Sequence, residues 1–471
     1  MATIVRSSLD AAFTAALERP APALLRVSGP RGSGVSRALR DCLRREREAP
    51  TGPRVWAIAG AAGRSERLLF QAREGLARAG VVAASPDWIG LVDALLDDLA
   101  RTRRPWIVAL DDVADLLAAT PAAGEAFSRL WAGARRGGLP LHLVLARADP
   151  GAVDRIRGEV PGEFPGTPRV DSETLEVGPV RFDEVAQHLP HWRPRDRLYL
   201  HACLGRWPAA LRFVDRRSGW VANLLGLVVD PEGPLHGWVP RRLREVVKKP
   251  DRYSAILAAL ADGAQDWGEI RGATPAFTEG NQIAPYLSTL ESAGWIRKRA
   301  SLDASPKSRK RRYAIVDPLV GFWHAVAEPA LGELLSGRAP RSLWDSGLSV
   351  EAESSVHRRI PSLVREAIAE SPGPFPVPAR RLGALWGEGY DLDVAGTLRN
   401  GAAVYGACVL GRAATVDDAT RLDAHMRATR YGFGREGRIR VLFTLDGATT
   451  ALRRRAARDH FLMLADLSAL F

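Results

Sequence analysis

The sequence has 471 residues, of which 46% are hydrophobic and 25% are charged. These values exclude a disordered, collagen-like or fibrous chain, and the length predicts roughly three domains of ~150 residues each. The 66 Lys and Arg residues outnumber the 54 Asp and Glu residues, which gives a net charge of +12 and favours a polyanionic partner. The lysines stand at five positions: Lys248, Lys249, Lys298, Lys307 and Lys310. Chemistry that needs a lysine before residue 248 or after residue 310 is therefore excluded.

The cysteines and the N-terminal residues indicate a compartment. Cys42, Cys203 and Cys408 are far apart and form no CxxC pair, so we expect neither a disulfide framework nor a zinc site. The first 19 residues lack the apolar region of a signal peptide. The longest apolar run, residues 220–229, is too short to cross a bilayer and contains Asn223. We therefore expect a cytoplasmic protein with no membrane partner.

A glycine-rich loop lies between a predicted strand, residues 23–28, and a predicted helix from residue 37. This is the context of a P-loop, in which backbone N–H groups and a helix N-terminus hold phosphates. In the pattern GxxxxGK[ST], Gly29, Gly34 and Ser36 are in register, but Val35 stands at the position of the lysine. Valine can neither reach the β- and γ-phosphates nor neutralise their charge. The candidate nucleotide contacts are Gly29, Arg31, Gly32, Gly34, Val35, Ser36 and Arg37.

The loop leaves two interpretations open. It binds ATP or ADP weakly, with Mg²⁺, or it is a glycine-rich turn that holds no nucleotide. Without the lysine, efficient hydrolysis is not expected under either interpretation.

A second motif, residues 105–112, is an apolar run that ends in Asp111 and Asp112. Such a run is typical of a buried parallel strand, and carboxylates at its end are typical of a Walker B motif. Asp111 would bind Mg²⁺ together with Ser36, and Asp112 takes the position of the catalytic glutamate. The alternative is that the two residues only cap the following helix.

Two more strands are predicted at residues 54–60 and 141–147, and Arg147 takes the place of a polar sensor residue at the end of the second. Strands that alternate with helices indicate a parallel α/β sheet. Residues 175–180 then predict the entry to a helical lid, whose last turn and helix fall at residues 204–211. The order of these motifs resembles that of archaeal-type ATPases of the AAA-related, STAND-like group. The resemblance implies a P-loop NTPase core with a helical lid.

Three helices and a basic hairpin are predicted in the middle of the chain. The helices lie at residues 253–260, from residue 266 and at residues 281–295, and residues 295–299 pair with residues 311–316. This order is typical of a winged helix, whose third helix enters the major groove of DNA while the wing contacts phosphates. The alternative is a solvated charge run on a module used for protein packing. The candidate contacts to duplex DNA are Gln282, Lys298, Lys307, Arg309, Lys310, Arg311 and Arg312.

The segment from Tyr313 to Trp323 matches the pattern YxIxDPxxxFW. It resembles a signature of prokaryotic ATPases that carry a C-terminal DUF234 domain, which is itself similar to PD-(D/E)xK restriction-type nucleases. In such nucleases two acids bind a divalent metal and a lysine assists the attacking water. The resemblance therefore implies a nuclease-like domain in the last third of the chain.

The residues of that nuclease site are largely replaced. Asp391 and Asp393 match the first part of the family pattern, with Asp393 at the metal position and Glu353 as a further acid. In the second part, Ala407 replaces the acid and Val409 replaces the lysine. So few carboxylates make a poor Mg²⁺ site, because this ion needs several oxygen ligands. We therefore expect a fold kept as a scaffold, without nuclease activity.

These predictions give an α/β multidomain protein. Its parts are a P-loop ATPase-like core at residues 1–175, a helical lid at 176–247, a winged helix at 248–327, a connector at 328–348 and a restriction-endonuclease-like α/β domain at 349–471. Because both catalytic centres lack residues that their chemistry uses, the leading hypothesis is a DNA-associated member of the ATPase family that acts by binding. Its ligands would be duplex DNA, a protein partner and a nucleotide. One alternative is an ATPase that is slow or active only on assembly, and another is a structural component of a homo-oligomer or other assembly.

Overall fold

The structure of the protein is a computed structural model. It describes all residues except 1–5, 30–31, 51, 61–64, 148–152, 154–155, 157–172, 276, 278–282, 306–310, 372 and 436. The chain divides into two compact units, residues 5–179 and residues 180–471, here called the N-terminal and the C-terminal unit. In the part of the chain that is described, no helix is both long and apolar enough to cross a membrane.

The N-terminal unit alternates strands and helices. Its strands are β1 (Ala23–Ser28), β2 (Arg54–Ala59), β3 (Trp106–Asp111), β4 (Leu141–Ala146) and β5 (Glu173–Glu176). Its described helices are Ser7–Leu17, Val35–Glu48, Ser65–Arg78, Trp88–Thr102, Val113–Ala119 and Pro121–Gly137.

The five strands form one parallel sheet in the order β2-β3-β4-β1-β5. The central strand β3 is buried along its length until Asp111, as expected for a strand covered by helices on both faces. One apolar cluster packs around Trp56 and Phe127, and a second packs around Val27 and Leu39. This is the fold of a P-loop NTPase core. Because β4 lies between β3 and β1, the carboxyl ends of these three strands meet at one edge of the sheet.

The first part of the C-terminal unit is helical, with one hairpin. Its helices are Phe182–His188, Pro194–Leu204, Pro208–Leu211, Trp220–Leu224, Trp238–Val246, Pro250–Ala261, Trp267–Ala273, Ala284–Ser292, Pro318–Phe322, Leu331–Leu335 and Pro340–Leu343. Single π-helical turns follow at Leu225–Val229, Trp323–Ala327 and Trp344–Leu348. The hairpin pairs β6 (Ile296–Ala300) with antiparallel β7 (Arg311–Ile315), as the sequence predicts.

The second part of this unit is a mixed sheet with a long helix, Ser349–Glu370, before it. The strands are β8 (Ala379–Gly387), β9 (Tyr390–Leu398), β10 (Ala403–Val409), β11 (Arg438–Thr444) and β12 (Leu462–Asp466), in the order β12-β11-β10-β9-β8. The pairs β8–β9 and β9–β10 are antiparallel, and the pairs β10–β11 and β11–β12 are parallel. The helices Val416–Ala428 and Thr450–Arg458 and a 3₁₀ turn at Leu467–Leu470 complete the unit.

The fold confirms the predicted α/β class and corrects one local prediction. Residues 175–180 are not simply the entry to a lid, because Leu175 and Glu176 lie in β5 and pair with β1. The predicted connector at residues 328–348 contains helical turns over much of its length. Gly and Pro residues suggested a linker there, but its apolar side chains, such as Leu343, are buried in the core of the unit.

The helices that precede the hairpin, the hairpin itself and the mixed sheet share one apolar core. Arg206 follows the helix Pro194–Leu204 and donates to Glu370 at 2.6 Å and to Glu366 at 3.2 Å, both on the long helix. Its guanidinium also lies 3.6 Å from the ring centroid of Phe182. These contacts hold residues of the predicted lid against the last third of the chain.

Candidate functional site

The glycine loop after β1 has the backbone of a phosphate-binding turn. Gly32 and Gly34 have φ values of 92° and 82°, in the left-handed region that favours glycine. A Cβ atom on Gly29 would lie 2.7 Å from both the Oγ atom of Ser33 and the carbonyl oxygen of Val177. Within the described part of the chain, Oγ of the fully buried Ser33 has no hydrogen-bond partner. The loop therefore offers close backbone approach, an unused hydroxyl group and the N-terminus of the helix Val35–Glu48.

The side chain at the position of the missing lysine belongs to the core. Val35 is 4% exposed and packs in the apolar cluster that contains Val27, Leu39 and Val177. A β-branched side chain at the first residue of the helix fills its place in this cluster well, whereas a lysine side chain there would have to point out of the cluster. The replacement is therefore structural, and not simply the loss of an ammonium group.

Arg147 brings a positive charge to the same place. Its Nη1 atom lies 3.4 Å from Oγ of Ser36, and its Nε atom lies 3.1 Å from Oδ1 of Asp112. The strand order explains why these three side chains lie close together, because Arg147 follows β4, Asp112 follows β3 and Ser36 follows β1. The structure thus brings three of the predicted motifs together around one guanidinium.

Asp111 and Asp112 have different surroundings. Oδ1 of Asp111 accepts the N–H of Asp112 at 3.0 Å. Asp112 has a left-handed φ of 51° and precedes the helix Val113–Ala119, but its side chain makes no capping hydrogen bond. Its carboxylate instead pairs with Arg147. The simple capping interpretation therefore explains the position of Asp112 but not the direction of its side chain.

The predicted Mg²⁺ ligands, Ser36 and Asp111, do not fit this ion in the arrangement seen here. The hydroxyl group of Ser36 already faces the guanidinium of Arg147, and two cations would repel each other at that oxygen. A hard divalent ion also needs several oxygen ligands. We therefore base no chemical step on a metal at this site.

The remaining candidates of the loop contribute less. Arg37 is exposed, and its Nε atom lies 3.6 Å from Oδ2 of Asp41 one turn along the helix. Arg31 lies outside the described residues. Arg6, which the sequence did not single out, donates to the carbonyl oxygens of Ser33 and Gly178 at 3.1 and 2.7 Å. It thereby fixes the loop against the chain segment that follows β5.

The predicted DNA contacts are only partly described. Lys298 is exposed on β6, with its Nζ atom 5.9 Å from the ring centroid of Tyr313, and Arg311 is half-buried at the start of β7. Arg312 is engaged in a bidentate pair with Asp391, at 3.2 and 2.8 Å. The candidates that lie outside the described residues are Gln282, Lys307, Arg309 and Lys310.

The predicted nuclease residues are only partly brought together. Asp391 and Asp393 line the same cavity, but Glu353 is not among its lining residues and accepts instead from the hydroxyl group of Tyr199 at 3.3 Å. Oδ2 of Asp393 accepts the N–H of Cys408 at 2.8 Å. Burial, with the negative charge of Asp391, raises the pKa of Asp393, although the Cys408 hydrogen bond and the Arg365 guanidinium oppose this.

The replaced nuclease positions lie on β10. Val409 is buried and Ala407 is half-buried, and both pack with the apolar cluster around Leu385 and Leu392. No group of three or more His, Cys, Asp or Glu residues that could hold a metal ion occurs among the residues that the structure describes. At these two positions the described structure has apolar side chains in place of the acid and the lysine of the nuclease pattern.

The chain has only weak similarity to known proteins. No known protein family matches the chain. The uncharacterized protein MJECL04 of Methanocaldococcus jannaschii is 31% identical over 90 residues, which are 19% of this chain and 20% of that protein. The match therefore spans about a fifth of this relative.

Among solved structures, the Walker-type ATPase PABY2304 of Pyrococcus abyssi is 19% identical, with a TM-score of 0.48 over 69% of this chain and 96% of that chain. The ORC2 protein of Aeropyrum pernix, in ADPNP–ADP complexes, is 15% identical, with a TM-score of 0.43 over 75% and 94% of the two chains. The ORC1 protein of the same organism, in complex with DNA, is 16% identical, with a TM-score of 0.30 over 71% and 95%. At these values the function has to be argued from the residues of this chain.

Sequence reasoning placed Arg147 at a strand end but missed its partners. The signal was available in part, because carboxyl ends of parallel strands share one edge of a sheet. It also missed Arg365 and Arg299, which line the cavity near Asp393. Neither residue belongs to a motif, so no sequence signal pointed to them.

Proposed function

We propose that the protein binds a nucleotide at residues 29–36 and uses it as a structural or switch ligand, with little or no hydrolysis. One observation carries this proposal: the guanidinium of Arg147 lies 3.4 Å from Oγ of Ser36, beside the loop. An arginine at this place supplies the positive charge that Val35 does not, and guanidinium groups pair well with phosphate oxygens. The nucleotide would be ATP or ADP.

The same geometry argues against efficient turnover. Asp112 would have to orient the attacking water, as the catalytic carboxylate does in such ATPases. Its oxygen is held by Arg147 at 3.1 Å, and its side chain is one methylene shorter than glutamate. The proposal is therefore a binding protein whose nucleotide is exchanged and rarely cleaved.

Calorimetric titration of the full chain with ADP, and separately with ATP, tests the binding step. We expect Arg147→Gln to weaken binding by roughly 10- to 100-fold, because a charged hydrogen bond contributes about 1.5–3 kcal/mol. Arg40→Gln is the matched control, since Arg40 is exposed on the same helix as Ser36. Equal affinities for the wild type and Arg147→Gln, or no binding to the wild type, would refute the proposal.

The ATPase alternative makes a different prediction. An enzyme that is slow or active only on assembly should release phosphate at high protein concentration, and Asp111→Asn should abolish that release. The third alternative, a structural component of an oligomer, predicts that the shape and mass in solution do not respond to ATP. Small-angle scattering with and without ATP separates this alternative from a nucleotide switch.

We also propose that the hairpin contacts duplex DNA through its phosphates. Arg297 and Lys298 are exposed on β6, and the basic residues at 307 and 309–310 lie between β6 and β7 in the sequence. The exposed residues described on the helix Ala284–Ser292 are Ala284, Pro285, Ser288, Glu291 and Ser292. This surface has no cation, so we expect phosphate contacts with little reading of bases and a steep dependence of affinity on salt.

Fluorescence anisotropy with a labelled duplex tests the DNA proposal. A variant with Gln at Lys298, Lys307, Arg309 and Lys310 should lose affinity and flatten the plot of log K against log salt. The control carries Gln at four exposed arginines outside the hairpin, Arg212, Arg338, Arg341 and Arg421. Equal binding by the wild type and the hairpin variant would exclude this role and favour the packing interpretation.

The C-terminal mixed sheet is best explained as a nuclease-like frame that serves as a scaffold and binds a protein partner. The positions of Ala407 and Val409 support this proposal, because both side chains pack with apolar neighbours. A plasmid-nicking assay with Mg²⁺ and with Mn²⁺ should show no cleavage. Cleavage that disappears in Asp393→Asn would overturn it.

A further inference from the structure

A cavity of about 370 Å³ lies in the C-terminal unit between the hairpin β6–β7, the long helix Ser349–Glu370 and β9. This volume is in the range of small-ligand sites. Its charged lining residues are Arg299, Arg312, Arg358, Arg359, Arg365, Asp317, Asp391 and Asp393. The arginines outnumber the aspartates, so the wall of the cavity has an excess of positive charge.

Two of these arginines have carboxylate partners. Arg312 is paired in bidentate fashion with Asp391. Nη2 of Arg359 lies 3.3 Å from Oε1 of Glu366, and the other oxygen of that carboxylate lies 3.2 Å from Arg206. The positive charge of Arg359 is therefore only partly balanced, because Glu366 is shared.

Arg299 and Arg365 are in a different situation. Nη2 of Arg299 donates to Oγ of Ser362 at 3.3 Å, and Nη1 of Arg365 donates to the main-chain oxygen of Asp393. Over the described ranges, no carboxylate oxygen lies within the 4.0 Å of an ion pair from either guanidinium. Burial, together with the positive charges of Arg365 and Arg359, lowers the pKa of Arg299 to about 9. Two half-buried cations thus repel each other with no carboxylate at ion-pair distance, although the more distant charges of Asp393 and Glu366 offset part of the repulsion.

The aspartates of the wall balance these two cations only in part, since Asp393 attracts Arg365 without forming a side-chain ion pair with it. Asp391 is already paired with Arg312, and Oδ2 of Asp393 accepts the N–H of Cys408. Burial raises the pKa of Asp317 to about 6, although the Leu319 N–H opposes this, so the carboxyl group carries less negative charge in weak acid than an exposed aspartate. Its Oδ1 atom accepts that N–H at 3.0 Å. The excess of positive charge is thus available to a ligand.

We propose that this cavity is an anion site that binds a phosphate group between Arg299 and Arg365. A phosphomonoester carries between one and a half and two negative charges near neutral pH. The oxygens of a phosphate group accept paired N–H donors from guanidinium groups. A single carboxylate satisfies the donors of two arginines less completely.

The phosphate group can belong to a small molecule or to the 5′ end of a nucleic acid strand, since both present the same oxygens. The proposal does not depend on nucleotide binding at residues 29–36. To keep the two sites apart, the test uses the full chain in an Arg147→Gln background, in which the loop of the N-terminal unit has lost its proposed cation.

The experiment measures the thermal unfolding midpoint against concentration of inorganic phosphate, AMP, or a short single strand with or without a 5′-phosphate. Potassium chloride at equal ionic strength is the reference. We expect a rise of roughly 3 °C when the ligand is tenfold above its Kd. Arg299→Gln should abolish this rise. Arg212→Gln, a change at an exposed arginine outside the cavity, should keep it.

A second readout separates binding from a structural role. Because Arg299 is half-buried next to like charges, Arg299→Gln should raise the midpoint in the absence of phosphate, whereas a structural arginine would lower it. A rise with phosphate and AMP identifies a small molecule as the source, and a rise restricted to the 5′-phosphorylated strand identifies a nucleic acid end. No rise above the chloride reference, or an equal rise in Arg299→Gln, overturns the proposal.

Discussion

The Nε atom of Arg147 lies 3.1 Å from Oδ1 of Asp112, and both residues have a left-handed backbone, with φ values of 54° and 51°. Left-handed φ is unfavourable for arginine, because the Cβ atom approaches the following carbonyl oxygen. Two such residues at the ends of adjacent strands indicate that the ion pair outweighs the unfavourable backbone conformation. Backbone strain of this kind is commonest at functional sites.

This strain gives a prediction for two substitutions at one position. Arg147→Gly and Arg147→Gln both remove the guanidinium, so both should lose nucleotide binding to the same extent. Only glycine also relieves the backbone, so the free energy of unfolding of Arg147→Gly should exceed that of Arg147→Gln by about 0.5–1 kcal/mol. Urea denaturation followed by tryptophan fluorescence measures the difference. A less stable glycine variant would show that the backbone of Arg147 is not strained.

The sequence predicted the local elements better than the contacts between them. The loop at residues 29–36 and the acids after β3 were recognisable, because glycine and carboxylate patterns are local. The ion pair of Arg147 with Asp112 was not, since it depends on β4 lying between β3 and β1, and a sequence alone does not give strand order. For the same reason the sequence showed Val35 only as the replacement of a lysine. Its side chain is 4% exposed and therefore has a packing role.

The cavity of the C-terminal unit was beyond sequence reasoning. Arg299 lies on β6 and Arg365 on the long helix, 66 positions apart, and each looks like an ordinary surface arginine. Their proximity follows from how the hairpin packs on the helix, where Arg359 also donates to the carbonyl oxygens of Ile315 and Val316 at 3.2 Å. Such tertiary contacts produce no periodic pattern or motif in the sequence.

Restoring the lysine of the P-loop pattern should not restore activity. Val35→Lys places an ammonium group in an apolar cluster, which costs roughly 2–4 kcal/mol if the chain stays buried. We therefore expect a clear loss of stability in urea denaturation and no phosphate release above background. Val35→Met, of similar length without a charge, controls for size and should cost less. A Val35→Lys protein that hydrolyses ATP would show that the side chain escapes to the loop.

Gly29 should tolerate no side chain. A Cβ atom there would lie 2.7 Å from the carbonyl oxygen of Val177, so Gly29→Ala must displace the segment after β5. We expect a loss of about 1–3 kcal/mol of stability, in the range of overpacked sites, together with weaker binding of ADP in calorimetry. Gly178→Ala is the matched control, because no heavy atom lies within 4 Å of its Cβ position. Equal stability of the two variants would contradict the close approach.

Asp317 should make stability fall as pH rises. Burial raises the pKa of Asp317 from 3.8 to about 6, while the Leu319 N–H and the positive charges of Arg359 and Arg242 oppose the shift. The folded state then binds more protons than the unfolded state between pH 4 and 6, so this group stabilises the fold below pH 4 and that contribution is lost as pH rises through 6. Asp317→Asn keeps the capping acceptor for Leu319 without the charge.

We therefore expect Asp317→Asn to match the wild type near pH 4 and to be more stable at pH 7, by up to roughly 3 kcal/mol. Urea denaturation at both pH values measures the difference. A constant difference between the two proteins would mean that Asp317 titrates as an ordinary surface carboxyl.

Arg206 should be among the costliest side chains to remove from the C-terminal unit. It is 5% exposed, it pairs with Glu366 and Glu370, and it stacks on Phe182. Truncation to alanine removes the arginine partner of Glu370 and leaves Glu366 with Arg359 alone, and we expect a loss of about 3 kcal/mol. Differential scanning calorimetry should show a lower transition temperature for the C-terminal unit.

Two comparisons separate the charge of Arg206 from its shape. Arg206→Lys keeps the charge, but a single ammonium group cannot serve both glutamates and the ring of Phe182 in the same way, so it should recover only part of the loss. Arg212→Ala removes an exposed arginine that lies over Phe213 and has no carboxylate partner among the described residues, and it should change stability by less than about 0.5 kcal/mol. Full recovery in Arg206→Lys would show that charge alone fixes the helical segment to the long helix Ser349–Glu370.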